Sequence, residues 1–228
     1  MTPDAAMEAL RAAADPGRAA DLAAHHGVAR PYLGAPGPVI DGLVADWRAA
    51  LTLADRLALA GALWQTGVHE AMLAAAKLLT QARIRPDDGG AWALIADWAE
   101  GFEGAAVADA ASIAGQKRLV ADPARLDQVA RWTQHPNPWT RRAVLTMTLP
   151  WAKMNHPKPA DLAVRERVLG WAAGYLDDAD RIVRKAVAAW LRSLARHDAA
   201  RAGAFPDGHR AALGERMAAA APTGPRAG

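Results

Sequence analysis

Cysteine is absent from the 228 residues, which excludes disulfides, thiolate metal ligands and a cysteine nucleophile and is compatible with a reducing compartment. No apolar run reaches the ~18 residues a membrane helix needs, and the N-terminus lacks a basic stretch followed by an apolar one. A soluble, cytoplasmic chain without a membrane partner is expected. β-Branched and aromatic residues are sparse and apolar residues do not alternate with period two, so a sheet is not expected. No Gly-x-Gly-x-x-Gly, P-loop or Gly-x-Ser-x-Gly stretch occurs, which leaves a nucleotide cofactor and serine-hydrolase chemistry unsupported. The seven histidines form neither His-x-x-x-His nor His-x-x-Glu-His, so neither a metal nor any other cofactor is expected.

What is present is alanine and leucine at helical spacing. Thr2-Pro3-Asp4 predicts a helix to about Ala14, and a second covers roughly 18–26. A turn-rich connector over 27–38 precedes an apolar stripe of Val39, Ile40, Leu43, Val44 and Trp47. Helix pairs are then predicted near 54–65 and 67–82, 87–99 and 103–115, 123–134 and 138–153, and 160–175 and 179–196. Second helices start near 67, 103, 138 and 179, a period of about 35 to 45 residues that marks an α-solenoid of HEAT type. The expected fold is all-α: a right-handed solenoid of antiparallel helix pairs with a concave basic groove. Residues 1–221 are expected to form one domain, with N-terminal helices over 1–50, repeats over 54–196 and a capping helix over 206–220. A disordered tail is expected over 222–228.

The chain is organised around Pro138–Trp151. Asn137 can cap a helix and Pro138 can occupy its first position, where a missing N–H is harmless. Arg141 and Arg142 sit side by side in the second turn, near a helix N-terminus that already favours anions. Trp139-Thr140-Arg141-Arg142-Ala143-Val144 aligns without a gap with Ile182-Val183-Arg184-Lys185-Ala186-Val187: two adjacent cations, then a small residue that lets helices approach. Equivalent positions of stacked pairs place Arg142 and Lys185 in one groove. Charge is divided unevenly, −6 over residues 1–114 and +9 over 115–228, which suits a polyanion.

In this order and spacing the landmarks resemble the AlkD-like family, bacterial DNA glycosylases for alkylated purines built from HEAT-like helix pairs. They are Gly27-Val28 with Pro31, Leu63-Trp64 with His69-Glu70, Ala75-Ala76-Lys77-Leu78-Leu79, Trp139-Thr140-Arg141-Arg142-Ala143, and Lys185-Ala186-Val187 with Leu191-Arg192. The resemblance covers roughly residues 20–200. It implies duplex DNA, alkylated or distorted, as partner, a monomer, and a place beside the bacterial nucleoid. It implies a catalytic aspartate at Asp109 and DNA contacts from Arg142, with Arg141, Trp139, Lys185 and Arg184 beside it. In the family two tryptophans and the aspartate flank the deoxyribose and stabilise the positive charge that develops as the glycosidic bond breaks. Here those tryptophan positions fall on Ala105 and Ala189, and Trp190 is turned about 100° from Ala189 into the packing. Loss of both rings slows the chemistry and widens the cleft.

Trp64, Trp92, Trp98, Trp132 and Trp171 lie among leucines and alanines and are expected in the core. Two functions stand open on the sequence. One is an alkylpurine DNA glycosylase of reduced rate. The other is a non-enzymatic solenoid that recognises damaged or distorted duplex, or a protein-binding scaffold.

Overall fold

The structure, a computed structural model, describes residues 1–205. These residues are helical throughout, with no strand among them. The expected helix over 206–220 and the expected tail over 222–228 lie outside the described residues. No helix among the described residues is long and apolar enough to cross a membrane. The described residues fall into two compact units, divided between Ala143 and Val144.

The first unit begins with α1 (Pro3–Ala12) and α2 (Pro16–His26). Both open with proline behind a capping side chain: Thr2 Oγ1 accepts from Ala5 N at 3.2 Å and Asp15 Oδ1 from Arg18 N at 3.1 Å. α3 (Gly37–Ala50), α4 (Leu53–Gln65) and α5 (His69–Leu78) follow. In α5, Ala71, Ala74, Ala75 and Ala76 are fully buried. Side chains this small let α5 pack closely against α3, α4 and α7 (Ala105–Ala121), so α5 is the centre of the unit. α6 (Gly89–Glu100) precedes α7 and contributes Trp92, Ile95 and Trp98 to the core. Trp64 is only half-buried because it closes the outside of this core, stacked on Trp98 at 4.2 Å and 5°.

Arg118 on α7 is fully buried. Its guanidinium binds the carbonyls of Gln81 and Ala82 and pairs with Asp88 at 3.0 Å, which ties the α5–α6 connector to α7. A hydrogen bond from Arg125 is the main cause that holds the Asp88 carboxyl below its ordinary range, with both arginine charges adding and burial opposing. Buried ions of this kind persist because each is both paired and hydrogen-bonded.

The predicted helix over 123–134 is broken into a 3-10 turn (Pro123–Arg125), α8 (Leu126–Arg131) and a second 3-10 turn (Trp132–Gln134). The predicted helix over 138–153 is also two pieces, α9 (Pro138–Met147) and α10 (Leu149–Ala152). Pro150 has no N–H to continue the ladder, and the Thr148 hydroxyl donates back to Val144 O at 2.7 Å, so the helix stops at Met147.

In the second unit α11 (Pro159–Gly174) and α12 (Arg181–His197) fall where the sequence predicts two helices, followed by a short α13 (Ala199–Gly203). Arg165 is buried and donates to Trp151 O, Met154 O and the Asp198 carboxylate, which binds α10 and α13 to α11. Trp171 differs from expectation. It is half-buried on the surface of α11, with the Arg167 guanidinium over its ring at 5.1 Å.

Candidate functional site

The first turn of α9 is fixed by two side chains, Asn137 and Thr140. Asn137 Oδ1 accepts from Trp139 N at 2.9 Å, the cap expected from the sequence. Its Nδ2 donates to Phe102 O at 2.9 Å and Glu100 O at 3.3 Å, and the buried Thr140 hydroxyl donates to Ala99 O at 2.6 Å. The three accepting carbonyls lie at the end of α6 and in the turn into α7. The start of α9 is therefore held against the start of α7, which brings residues about 35 apart in sequence to one place.

Asp109 and Arg142 meet there. Arg142 Nη1 donates to Asp109 Oδ1 at 2.5 Å, with the arginine side chain 17% exposed and the carboxylate 47%. The Arg142 guanidinium also lies over the Trp139 ring, 5.5 Å from its centre. Three residues singled out in the sequence are thus one chain of contacts: carboxylate, guanidinium, indole. Ala105, one turn before Asp109 on α7, is exposed, so no ring and no packing occupy that position.

Beside this triad is a cleft of about 390 Å³ lined by His25, His26, Val28, Glu103, Ala105 and Trp139 together with two glycines. Gly104 explains why the wall can form. Its φ is +80°, and a Cβ there would stand 2.7 Å from Val28 Cγ2, so only glycine admits so close an approach between the loop after α2 and the start of α7. Arg30 fixes the same corner by donating to Glu103 O at 2.8 Å and to Glu103 Oε2 at 3.3 Å.

Behind the cleft, His26, Tyr32 and His69 stack, with His69 4.8 Å from His26 and 4.7 Å from Tyr32. Burial is the main cause that pushes His69 down to about 4, so its ring is neutral near pH 7; burial also lowers His26, with the charges of His25 and Arg30 adding. Glu70 accepts from Leu33 N and Gly34 N, which folds the connector over this stack. Among the described residues no three His, Cys, Asp or Glu side chains converge as metal ligands would.

Arg141 and Arg184 occupy equivalent places. Arg141 Nη1 donates to the carbonyls of residues 135 and 136, six and five positions before it. Arg184 Nη1 does the same to residues 178 and 179. The first cation of each pair fastens the preceding loop, whereas the second, Arg142 or Lys185, is turned elsewhere. On α12, Lys185 and Ala189 are exposed, while Val183, Ala186, Val187 and Trp190 are buried. Trp190 is 1% exposed and donates to Thr148 O at 3.3 Å, packed inward as its position next to Ala189 predicts. Lys185 and Arg184 belong to the second unit and the triad to the first. Glu103, His25 and His26 escaped the sequence reading; the nearest signals were the Gly27-Val28 landmark and the glycine before α7.

The chain is similar to known proteins in its sequence pattern and in its fold. The sequence pattern of the family described as DNA alkylation repair enzyme matches residues 6–222. An Enterococcus faecalis structure described as a predicted DNA alkylation repair enzyme superposes with a TM-score of 0.71 at 15% identity, over 90% of this chain and 97% of its own. The structure of AlkD2 from Streptococcus mutans gives 0.55 at 17% identity, over 78% of this chain and 81% of its own. No curated protein matches. At these identities the structures establish a shared fold.

Proposed function

Because the chain belongs to the DNA alkylation repair enzyme family, we propose that it binds duplex DNA and assists release of an N3- or N7-alkylated purine by hydrolysis of the N-glycosidic bond. The observation that supports this is the contact of Asp109, Arg142 and Trp139 beside an open cleft. An alkylated purine carries positive charge on its ring and is a good leaving group. As the bond to C1′ breaks, the base takes the bonding electrons and the sugar becomes an oxocarbenium ion, which water then attacks. A carboxylate nearby opposes that positive charge, and its effect grows as water is excluded. Asp109 is that carboxylate in this reading. Arg142 binds a backbone phosphate, and a phosphate arriving there competes with Asp109 for the guanidinium, so that the charge of the carboxylate is less compensated and available to the sugar. Lys185 contacts phosphate from the second unit, while Arg141, Arg184 and Trp139 shape the surface around these contacts.

Turnover is slow in this account, since a carboxylate 47% exposed without flanking rings works in water-like surroundings. The exposure of Ala105 and Ala189 favours a second reading, a protein that recognises damaged duplex without excising the base. Single-turnover release of 7-methylguanine from methylated duplex separates them. Release by the parent, at least tenfold slower in Asp109→Asn, supports the enzyme. Equal rates in both remove Asp109 from catalysis, and no release by a parent that still binds the duplex supports the second reading.

A further inference from the structure

Arg118 and Arg165 are buried with a carboxylate in contact, whereas Arg56, on the first turn of α4, is buried without one. It is 7% exposed, and its guanidinium meets a neutral amide: Nη1 donates to Gln81 Oε1 at 2.5 Å and Nε has no partner. No Asp or Glu among the described residues lies within ion-pair distance of it. Asp55, next in sequence, accepts instead from the Thr52 hydroxyl at 2.7 Å. Gln81 also receives Arg118, whose Nη2 donates to its carbonyl, so two buried guanidiniums share one residue. The carboxylates of this network lie at its other end, where Asp88 is shared by Arg118 and Arg125 and Asp122 pairs with Arg125. Arg48, in the last turn of α3, is close enough for its charge to act on Arg56. Burial is the larger cause, and the two together push the Arg56 guanidinium below its ordinary value.

A cation taken out of water needs an anion beside it. The first turn of α4 adds to the excess of positive charge, because the free N–H groups of a helix start carry partial positive charge themselves. The connector that holds Gln81 continues through Arg83 and Arg85, both exposed. Four of the eight lysines and arginines in an N-terminal half of charge −6 therefore lie on the segments of this one corner. We propose that the corner formed by the end of α3, the start of α4 and the connector after α5 is a binding site for a phosphate group, held by Arg56 and Arg48 with Gln81 at its edge. Phosphate fits better than a monovalent anion, since it carries more charge and offers several oxygens to the guanidinium forks of two residues. Arg118, which shares Gln81 with Arg56, is nine residues beyond Asp109 on α7, about 13 Å along the axis. The site is separate from the contact of Asp109 with Arg142 and does not rest on the reading of that contact.

Thermal unfolding of the full chain in sodium phosphate, against sodium chloride of equal ionic strength, tests this. In about 10 mM phosphate the parent should melt about 2–4 °C higher, and the gain should saturate. Gln81→Glu places a carboxylate on Arg56, so this variant should melt above the parent without phosphate and gain nothing from adding it. Arg48→Gln, at a half-buried position, should weaken phosphate binding about tenfold. The double variant Arg142→Ala/Lys185→Ala should keep the parent's gain, which assigns the phosphate to this corner and not to the cations at 142 and 185. No phosphate-specific gain in the parent, an undiminished gain in Gln81→Glu, or a gain lost in the double variant would overturn the site. Duplex affinity of Gln81→Glu then names the source. A fall below the parent makes it a phosphate of a nucleic-acid backbone, an unchanged affinity makes it a free phosphate or a small phosphate ester, and both keep the site. A parent that binds duplex but gains nothing from phosphate sinks this site alone and leaves the reading of DNA as substrate standing.

Discussion

At the residue scale, Ala105 and Ala189 decide how open the molecule is to redesign. The family resemblance places a tryptophan at each, and an alanine in its place marks either an emptied site or helices too close for a larger side chain. Both positions are exposed. Ala105→Trp and Ala189→Trp should therefore leave stability within about 0.5 kcal/mol of the parent, a shift in melting temperature of no more than about 2 °C. Ala111→Trp is the contrast, since Ala111 is fully buried on the same helix as Ala105 and overpacking there costs about 1–3 kcal/mol. Thermal unfolding by circular dichroism reads all three. A loss at 105 or 189 as large as that at 111 would mean that the position is packed. Asp109 and Arg142 were legible in the sequence as single residues, but their ion pair was not, because nothing local relates positions 33 apart.

At the element scale, α9 carries the account. Its cap, its proline and its paired arginines were readable because each acts within a few residues of its partner. The stop at Met147 was not read, although Pro150 signals it, because the apolar spacing runs on to Trp151. The division of labour within each cation pair was hidden for a different reason. Arg141 and Arg184 reach loop carbonyls whose positions depend on how the preceding turn folds. Asn137 holds α9 by one bond to its own first turn and two to the end of α6 and the following loop. Asn137→Ala should destabilise the chain by about 1–2 kcal/mol, since a cap is lost and two carbonyls lose a donor. Hydrogen exchange should rise first at the amides of Trp139 to Arg141. A melting temperature and exchange pattern equal to the parent's would show that the first turn is held by packing alone.

At the scale of the whole molecule, the sequence conveys helices, their pairing and an electropositive C-terminal half, all of which arise from periodicity and composition. The cleft is of another kind. It is assembled from the loop after α2, the start of α7 and the start of α9, and it exists because Gly104 can meet Val28. Three segments far apart in sequence leave no periodic trace. The central claim, that this chain uses the second cation of each repeated pair to hold a DNA backbone, is tested most directly by the salt dependence of duplex affinity. Each neutralised phosphate contributes about −0.9 to the slope of log affinity against log salt. The parent should show a slope of about −2 or steeper, and Arg142→Ala and Lys185→Ala should each flatten it by about one for every duplex sequence alike. A parent affinity that does not change with salt, or two variants that keep the parent's slope, would contradict the account.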